Sequence, residues 1–471
     1  MDLPAPELHA LLSRVVDTAV ARHESLPTAR AVPAAFPSRD AVPGVLPDEG
    51  VGAEQSLQEV YDEILPFLSN SAGPRFFGLI TGGTTPAAMC ADFLTTIYDQ
   101  NTILHSPGDS IAASVEDRAV EMLADLFKLP QDEFTGVLTT GATASNILGL
   151  ACGRQYAGRV HFGVDVAEDG MEGCGAFEVI SNLPHASVVK AMGLVGIGRR
   201  RLRSCDLSVD SIETALRSVP PDVAPIVVVS SGEVNTGRLQ PSLPEVSALC
   251  KKYRAWLHLD GAFGLFARCS PKYDHFTDGV ELADSITTDL HKWLNVPYDS
   301  AVFFTRHERI LRECFTTTAA YLAPPDHAYS TSLAPTHPMN RGIESSRRFR
   351  ALPVYMTLRA YGRAGYAALV ERTCAFAKHV GEWIAAQDEL ELLYAVDLCI
   401  VLFRGKGGRR EGAEGNKALV SAINGGGALY VTGTVWDGVP AIRLAVVNYR
   451  TTDAEFDTVV KGLKEAALTL A

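Results

Sequence analysis

Two short strings in this chain hold the residue types of one chemistry. His258-Leu259-Asp260-Gly261-Ala262 sets a carboxylate at the end of an apolar run. Asp289-Leu290-His291-Lys292-Trp293 sets an amine between an imidazole and an indole, with Lys292 following Asp260 by 32 residues. A lysine amine closes a Schiff base on an aldehyde cofactor, and a carboxylate keeps a pyridine nitrogen protonated so that the ring accepts electrons. Pyridoxal phosphate chemistry requires that pair. Either string alone also fits an ordinary strand end or a solvated surface lysine. Their order and spacing together point to the cofactor.

Three further segments carry polar groups at strand ends. Gly141-Ala142-Thr143-Ala144-Ser145-Asn146 joins a strand to a helix. Its small residues let backbone N–H groups approach an anion, and the helix start adds a favourable field. An ordinary capped turn reads the same way. Ser181-Asn182-Leu183-Pro184-His185-Ala186-Ser187 brings an imidazole to the carboxyl end of a strand, the ligand side of a parallel sheet. His185 there can stack on a flat ring or simply cap the next helix. Ser231-Gly232-Glu233-Val234-Asn235-Thr236-Gly237 ends another strand, and is either a polar site edge or a plain turn.

The elements that must position these groups are legible as apolar periodicity. Leu257 to Leu259 and Ala283 to Thr288 read as strands delivering Asp260 and Lys292. Ala176 to Ile180, Gly136 to Leu138 and Ala224 to Ser230 read as strands of the same buried type. Strands alternating with helices over this stretch imply a mostly parallel, covered sheet. The final third opens with a long helix from about Arg347, then strands within Leu390 to Phe403 and Ala441 to Val447. Gly405 to Gly415 reads as a flexible surface loop. At the other end, residues 7–22 carry a helical stripe (Leu8, Leu11, Leu12, Val15, Val16, Val20), a Pro-rich connector comes next, and residues 55–68 turn helical again. This arm has too little apolar surface for a core of its own, so it packs on the rest of the protein or on a second subunit. The division expected is an arm over 1–75, a large α/β domain over 76–345 and a small α+β domain over 346–471.

Bulk composition narrows the partners. The chain has 471 residues, 47% hydrophobic and 21% charged, with a formal net charge of -13. An acidic surface argues against nucleic acid or an anionic membrane as main partner. Nine cysteines without a CxxC pair suggest neither a disulfide framework nor a zinc site. No HxxxH or HxH pair stands beside an acid, so no metal site is expected. With no signal peptide or transmembrane run expected, the reading is a cytoplasmic enzyme.

With these pieces in order, the chain resembles the group II pyridoxal-phosphate decarboxylases, which include aromatic-L-amino-acid and glutamate decarboxylases. The resemblance runs from about Phe76 to the C-terminus. It rests on the strings above, on Ser346-Arg347-Arg348-Phe349-Arg350 and on Leu358-Arg359-Ala360-Tyr361-Gly362. It implies fold type I (aspartate-aminotransferase-like), a homodimer with sites at the subunit interface, and pyridoxal 5'-phosphate as cofactor. Carried over, Lys292 is the Schiff-base lysine, Asp260 the pyridinium partner and His185 the stacking ring. Ala262 lies under the ring's other face, while Ala142, Thr143, Asp289 and His291 sit around the phosphate or support its site. Phe77 to Thr81 matches a piece of substrate pocket, placing Thr81 near the substrate. The implied reaction is decarboxylation of an L-amino acid to its amine.

Three departures bear on the outcome. The aromatic enzymes carry an Asp-Tyr pair in a mobile loop, whose Tyr protonates the carbanion. Thr316 to Ile343 has none; Tyr321, Tyr329 and His337 stand there instead, with Tyr329 and His337 the candidate donors. Glu233 stands in place of a Thr, which disfavours an acidic substrate. Gly78 to Gly83 has small residues in place of bulky rings. An aldehyde synthase or another Cα lyase therefore stays open beside the amine-forming reaction.

Overall fold

The computed structural model describes residues 3–35, 37–38, 42, 44–105, 110–317 and 337–470. In chain order the strands are β1 (Thr135–Thr139), β2 (Ala176–Asn182), β3 (Leu202–Cys205), β4 (Val223–Ser230), β5 (Trp256–Asp260), β6 (Ser285–Asp289), β7 (Ala301–Thr305), β8 (Leu390–Leu392), β9 (Ile400–Gly405), β10 (Thr432–Trp436) and β11 (Val439–Ala445). The helices are α1 (Ala5–Ser25), α2 (Gly52–Glu59), α3 (Pro86–Tyr98), α4 (Ala112–Leu126), α5 (Ala142–Ala157), α6 (Val166–Asp169), α7 (Ala186–Leu194), α8 (Val209–Arg217), α9 (Leu243–Tyr253), α10 (Glu308–Phe315), α11 (Ala351–Ala385), α12 (Gly412–Gly426) and α13 (Phe456–Leu468).

The chain forms two compact units, Thr84–Cys374 and Met1–Gly83 with Ala375–Ala471. This division differs from the expected one. The arm shares a unit with the C-terminal segment, and the second boundary falls inside α11. The reason lies in α11's first half, which bonds to the lysine-bearing loop: Tyr366 Oη donates to the Leu294 carbonyl at 3.1 Å, and Trp293 Nε1 to Thr373 Oγ1 at 3.0 Å. The long helix also starts later than the sequence suggests. Arg347 precedes it, buried and bidentate on Glu116 at 2.8 and 2.7 Å.

The larger unit is built on a seven-stranded sheet in the order β1-β7-β6-β5-β4-β2-β3. β7 alone runs antiparallel to its neighbours β1 and β6. The mostly parallel α/β sheet expected from the sequence is therefore present. β4 shows why: Val-Ala-Pro-Ile-Val-Val-Val-Ser is buried at every position, as a strand covered on both faces must be. The pairings Ser230↔Asp260, Asp260↔Thr287 and Asp289↔Ala301 bring the ends of β4, β5 and β6 to one edge. Helix α5 lies close over this sheet because two of its residues lack side chains. A Cβ on Gly149 would stand 2.4 Å from the His258 ring, and one on Gly153 would stand 3.0 Å from Trp256.

The other unit carries a four-stranded antiparallel sheet, β10-β11-β9-β8, with a core that includes Phe77, Phe376, Phe403, Leu419, Leu444 and Leu463. The arm is stitched to this unit by arginines. Arg30 Nη2 donates to Gly425 O at 2.9 Å, and Arg75 Nε to Ala428 O at 2.7 Å. No residue of α1 is buried, and Leu8, Leu12, Val16 and Val20 form an exposed apolar row at four-residue spacing. One expectation fails here. Gly405 to Gly415 is not a free loop: Arg410 is buried and donates to Ala467 O at 2.7 Å, near the end of α13. A cation on the last carbonyls of a helix is favourable on both charge and hydrogen-bonding grounds, and it ties the segment down.

Candidate active site

The site is built where β1, β2, β4, β5 and β6 end. Asp260, the last residue of β5, is buried. Its Oδ1 accepts from Ala262 N at 3.2 Å and its Oδ2 from Asn146 Nδ2 at 2.9 Å. Asn146 sits one turn into α5. Its Oδ1 meets His258 Nε2 at 2.9 Å, and the same Nδ2 also meets Ser187 Oγ at 3.0 Å. Behind them, His258 Nδ1 lies 2.8 Å from Ser285 Oγ, which accepts from Trp256 Nε1 at 3.0 Å. Burial pushes the His258 imidazole down to about 4, with Asp260 acting the other way.

His185 is the N-cap of α7, and its Nδ1 accepts from Ser187 N at 3.2 Å and lies 2.7 Å from Ser187 Oγ. The capping reading of this histidine is thus realised. It does not preclude a ligand on the ring.

The amine end is organised by Asp289. Lys292 Nζ pairs with Asp289 Oδ2 at 2.9 Å, and Asp289 Oδ1 accepts from Ala142 N, the first N–H of α5, at 2.6 Å. Asp289 N donates to Ala262 O at 2.9 Å, which joins this end to the Asp260 turn. His291 approaches Asp289 at 3.7 Å, holds Ser300 O at 2.9 Å through Nδ1, and stacks on Tyr298 with centroids 4.2 Å apart. Burial lowers the His291 imidazole below its ordinary value; Asp289 opposes that and Lys292 reinforces it. Thr143 lies half-buried in the first turn of α5. Contacts therefore run unbroken from Lys292 through Asp289, Ala262, Asp260, Asn146 and Ser187 to His185.

Other expected residues make contacts outside this set. Glu233 folds back on its own turn, accepting from Thr236 N at 2.8 Å and from Asn235 Nδ2 at 2.9 Å. Its charge is held by the turn after β4. His337 accepts from His105 N at 3.1 Å in a cluster where Asp117 meets both His105 and Arg341. Burial, His105 and Arg341 all lower the His337 imidazole. Thr81 is buried in the other unit, on a segment held by Phe77 N donating to Tyr430 O at 2.9 Å and Ala445 N to Phe77 O at 3.0 Å. Tyr321 and Tyr329 lie outside the described residues. Asn146, Ser187, His258 and Trp256 escape the sequence reading as site residues. A signal for the first was present: Asn146 stands four residues after Ala142, so it shares the helix face whose N-terminus meets the site.

Residues 38–406 match the pyridoxal-dependent decarboxylase conserved domain. The chain belongs to the pyridoxal-dependent decarboxylase family. Its cofactor is accordingly pyridoxal 5'-phosphate and its class that of a carboxy-lyase. The chain is 25% identical over 436 residues to the aromatic-L-amino-acid decarboxylase of Bacillus atrophaeus, covering 90% of this chain and 87% of that one. It is also 25% identical over 490 residues to 4-hydroxyphenylacetaldehyde synthase of Rhodiola rosea, covering 99% and 96%. The Oryza sativa TDC solved with PLP and tryptamine superposes with a TM-score of 0.90 over the whole of both chains at 22% identity, which shows a shared fold. The fold type I expectation agrees with this likeness.

The residues present fit the cofactor. Ser231 Oγ, Thr287 Oγ1 and Ser300 Oγ are buried without a hydrogen-bond partner at this sheet edge. Unpaired buried hydroxyls are costly in a closed protein and are suited to a polar ligand. A buried carboxylate, an amine and a helix start stand at the same edge.

Proposed function

We propose that this decarboxylase acts on an L-amino acid and releases carbon dioxide and the amine, with Lys292 as the residue bonded to the cofactor aldehyde carbon. The observation that carries the reading is the unbroken set of contacts joining Lys292, Asp260 and His185. When bound, the cofactor supplies an electron sink for the pair left by the departing carboxylate. Asp260 would hold the proton on the ring nitrogen, and His185 would stack on the ring. Ala142, Thr143 and His291 would hold the phosphate or support its site, and Ala262 would line the ring's other face. Asp289 holds the Lys292 ammonium until the amine is used. Thr81, Tyr329 and His337 belong to the substrate side, where Tyr329 or His337 returns a proton to the carbon.

A second outcome is supported by the missing Asp-Tyr pair and by the likeness to an aldehyde synthase. There, dioxygen oxidises the carbon that has lost carbon dioxide, and water completes the products: aldehyde, ammonia and hydrogen peroxide. Incubating the purified protein with the common amino acids and aromatic derivatives, while measuring carbon dioxide, amine, ammonia and peroxide together, separates the two. Amine without peroxide supports the first reading; ammonia and peroxide in equal amounts support the second; no carbon dioxide from any amino acid overturns both.

We further read the protein as a cytoplasmic homodimer. Nine free cysteines favour a reducing compartment. No helix among the described residues is long and apolar enough to cross a membrane. The exposed row on α1 is apolar surface of the kind a second copy covers. Sedimentation of a chain lacking residues 1–68 tests this: dimerisation as tight as that of the full chain sinks the arm's part in it.

A further inference from the structure

The hydrogen bonds behind Asp260 have a direction, and the Asp260 end fixes it. An ionised carboxylate only accepts, and an indole N–H only donates. Starting from Asp260, Asn146 must present its amide nitrogen to Oδ2, so its carbonyl oxygen faces His258. His258 must then carry its proton on Nε2, which leaves Nδ1 to accept from the Ser285 hydroxyl. Ser285 Oγ in turn has lone pairs for the Trp256 N–H, the arrangement the geometry holds at 3.0 Å. Every donor meets an acceptor in this sense. In the opposite sense the Asn146 carbonyl oxygen would face the Asp260 carboxylate. His258, held neutral by burial, supplies the single N–H this scheme needs.

We propose that Asn146 is a positioning residue that aims the Asp260 carboxylate at the cofactor's ring nitrogen, with His258, Ser285 and Trp256 completing the hydrogen bonds behind it. The proposal rests on the reading of Asp260 as the ring-nitrogen partner. One amide serves two groups: one hydrogen of Nδ2 holds Asp260 and the other is offered to Ser187, which holds His185. The ring-nitrogen partner and the ring-stacking imidazole are therefore set by the same side chain.

The test compares two ligands, pyridoxal 5'-phosphate and its 1-deaza analogue, in which C–H replaces the ring nitrogen. The readout is the ratio of their dissociation constants, monitored by absorbance, with no turnover needed. The full-length protein should prefer the natural cofactor, and Asp260→Ala should remove that preference. Asn146→Ala should lower the preference by about tenfold, the loss of one hydrogen bond to a charged group. Asn146→Asp, of the same shape, should lower it as far, which covers the case where the alanine variant folds poorly. If the Asn146 variants bind both ligands more weakly by equal factors, the residue is structural and the proposal fails. If Asp260→Ala keeps the preference, the reading of Asp260 fails instead. Loss of preference in Asp260→Ala with none in either Asn146 variant overturns this inference alone.

Discussion

The Asp260 end and the Lys292 end of the site stand at the ends of adjacent strands, yet they are held by different forces. Asp260 is secured by neutral partners: an amide, a backbone N–H and, behind them, a neutral imidazole, a hydroxyl and an indole. Lys292 is secured by an ion pair with Asp289, beside a helix start and a second imidazole. A neutral relay in a buried setting is insensitive to salt and depends on geometry. An ion pair near the cofactor responds to charge and to proton uptake. The difference assigns permanence to the ring-nitrogen side and exchangeability to the amine side, where a bond has to form.

The comparison breaks most severely at Lys292. Lys292→Ala should abolish turnover and the absorbance band of the bound cofactor while leaving the fold intact; activity above a few per cent of the parent's would remove the lysine from its assigned role. Asp260→Ala should retain weak cofactor binding and lose at least about tenfold in turnover, or roughly 1.4 kcal/mol of barrier. A smaller loss would mean that another carboxylate serves the ring.

A third measurement sharpens the contrast through pH. His258 is depressed to about 4 in the folded protein, whereas an unfolded histidine titrates near ~6.5. Between those values the unfolded chain binds the proton and the folded one does not. Stability is therefore fully present above ~6.5 and falls as pH drops toward about 4, by about 3 kcal/mol for this group. Urea unfolding across that range should show the slope, reduced in a His258→Gln variant; equal slopes would mean that His258 does not titrate as described. The smallest expected effect is at the ionic end. Asp289 raises the His291 imidazole against burial, so Asp289→Asn should push it further down. Titrating the His291 ring by NMR reads the direction, and a rise would show that Asp289 does not set it.

Much of this molecule was legible in the chain. Apolar runs closing in Asp260, Asp289 and Gly141 located the strand ends, because a covered parallel sheet demands such runs and a ligand edge demands polar groups and small residues just beyond them. The relay behind Asp260 was not legible as a unit. Asn146, His258 and Trp256 lie on two elements that meet only in the fold, through a contact that Gly149 permits. Arg410 misled for a related reason. A charge in a glycine-rich string looks solvated, yet Arg410 finds a backbone partner that sequence distance conceals.

The antiparallel placement of β7 has a consequence for the lysine itself. A parallel successor to β6 would force the chain to cross over the sheet and come back. Here it leaves β6 at Asp289 and re-enters β7 at Ala301, on the same edge. The intervening loop is closed at its neck by Leu290 N and His291 N on Ser300 O, and filled by buried Trp293, Leu294 and Val296. Closing so short a loop costs little entropy once the sheet has formed. The backbone of Lys292 is thus fastened on both sides, and only the four-carbon stem between it and the Asp289 ion pair can rearrange without breaking a backbone hydrogen bond. Amide hydrogens at 290, 291, 295 and 296 should exchange slowly, as those of strands do. The nucleophile is fixed at its root by the backbone, and at its tip it is held only by the ion pair to Asp289.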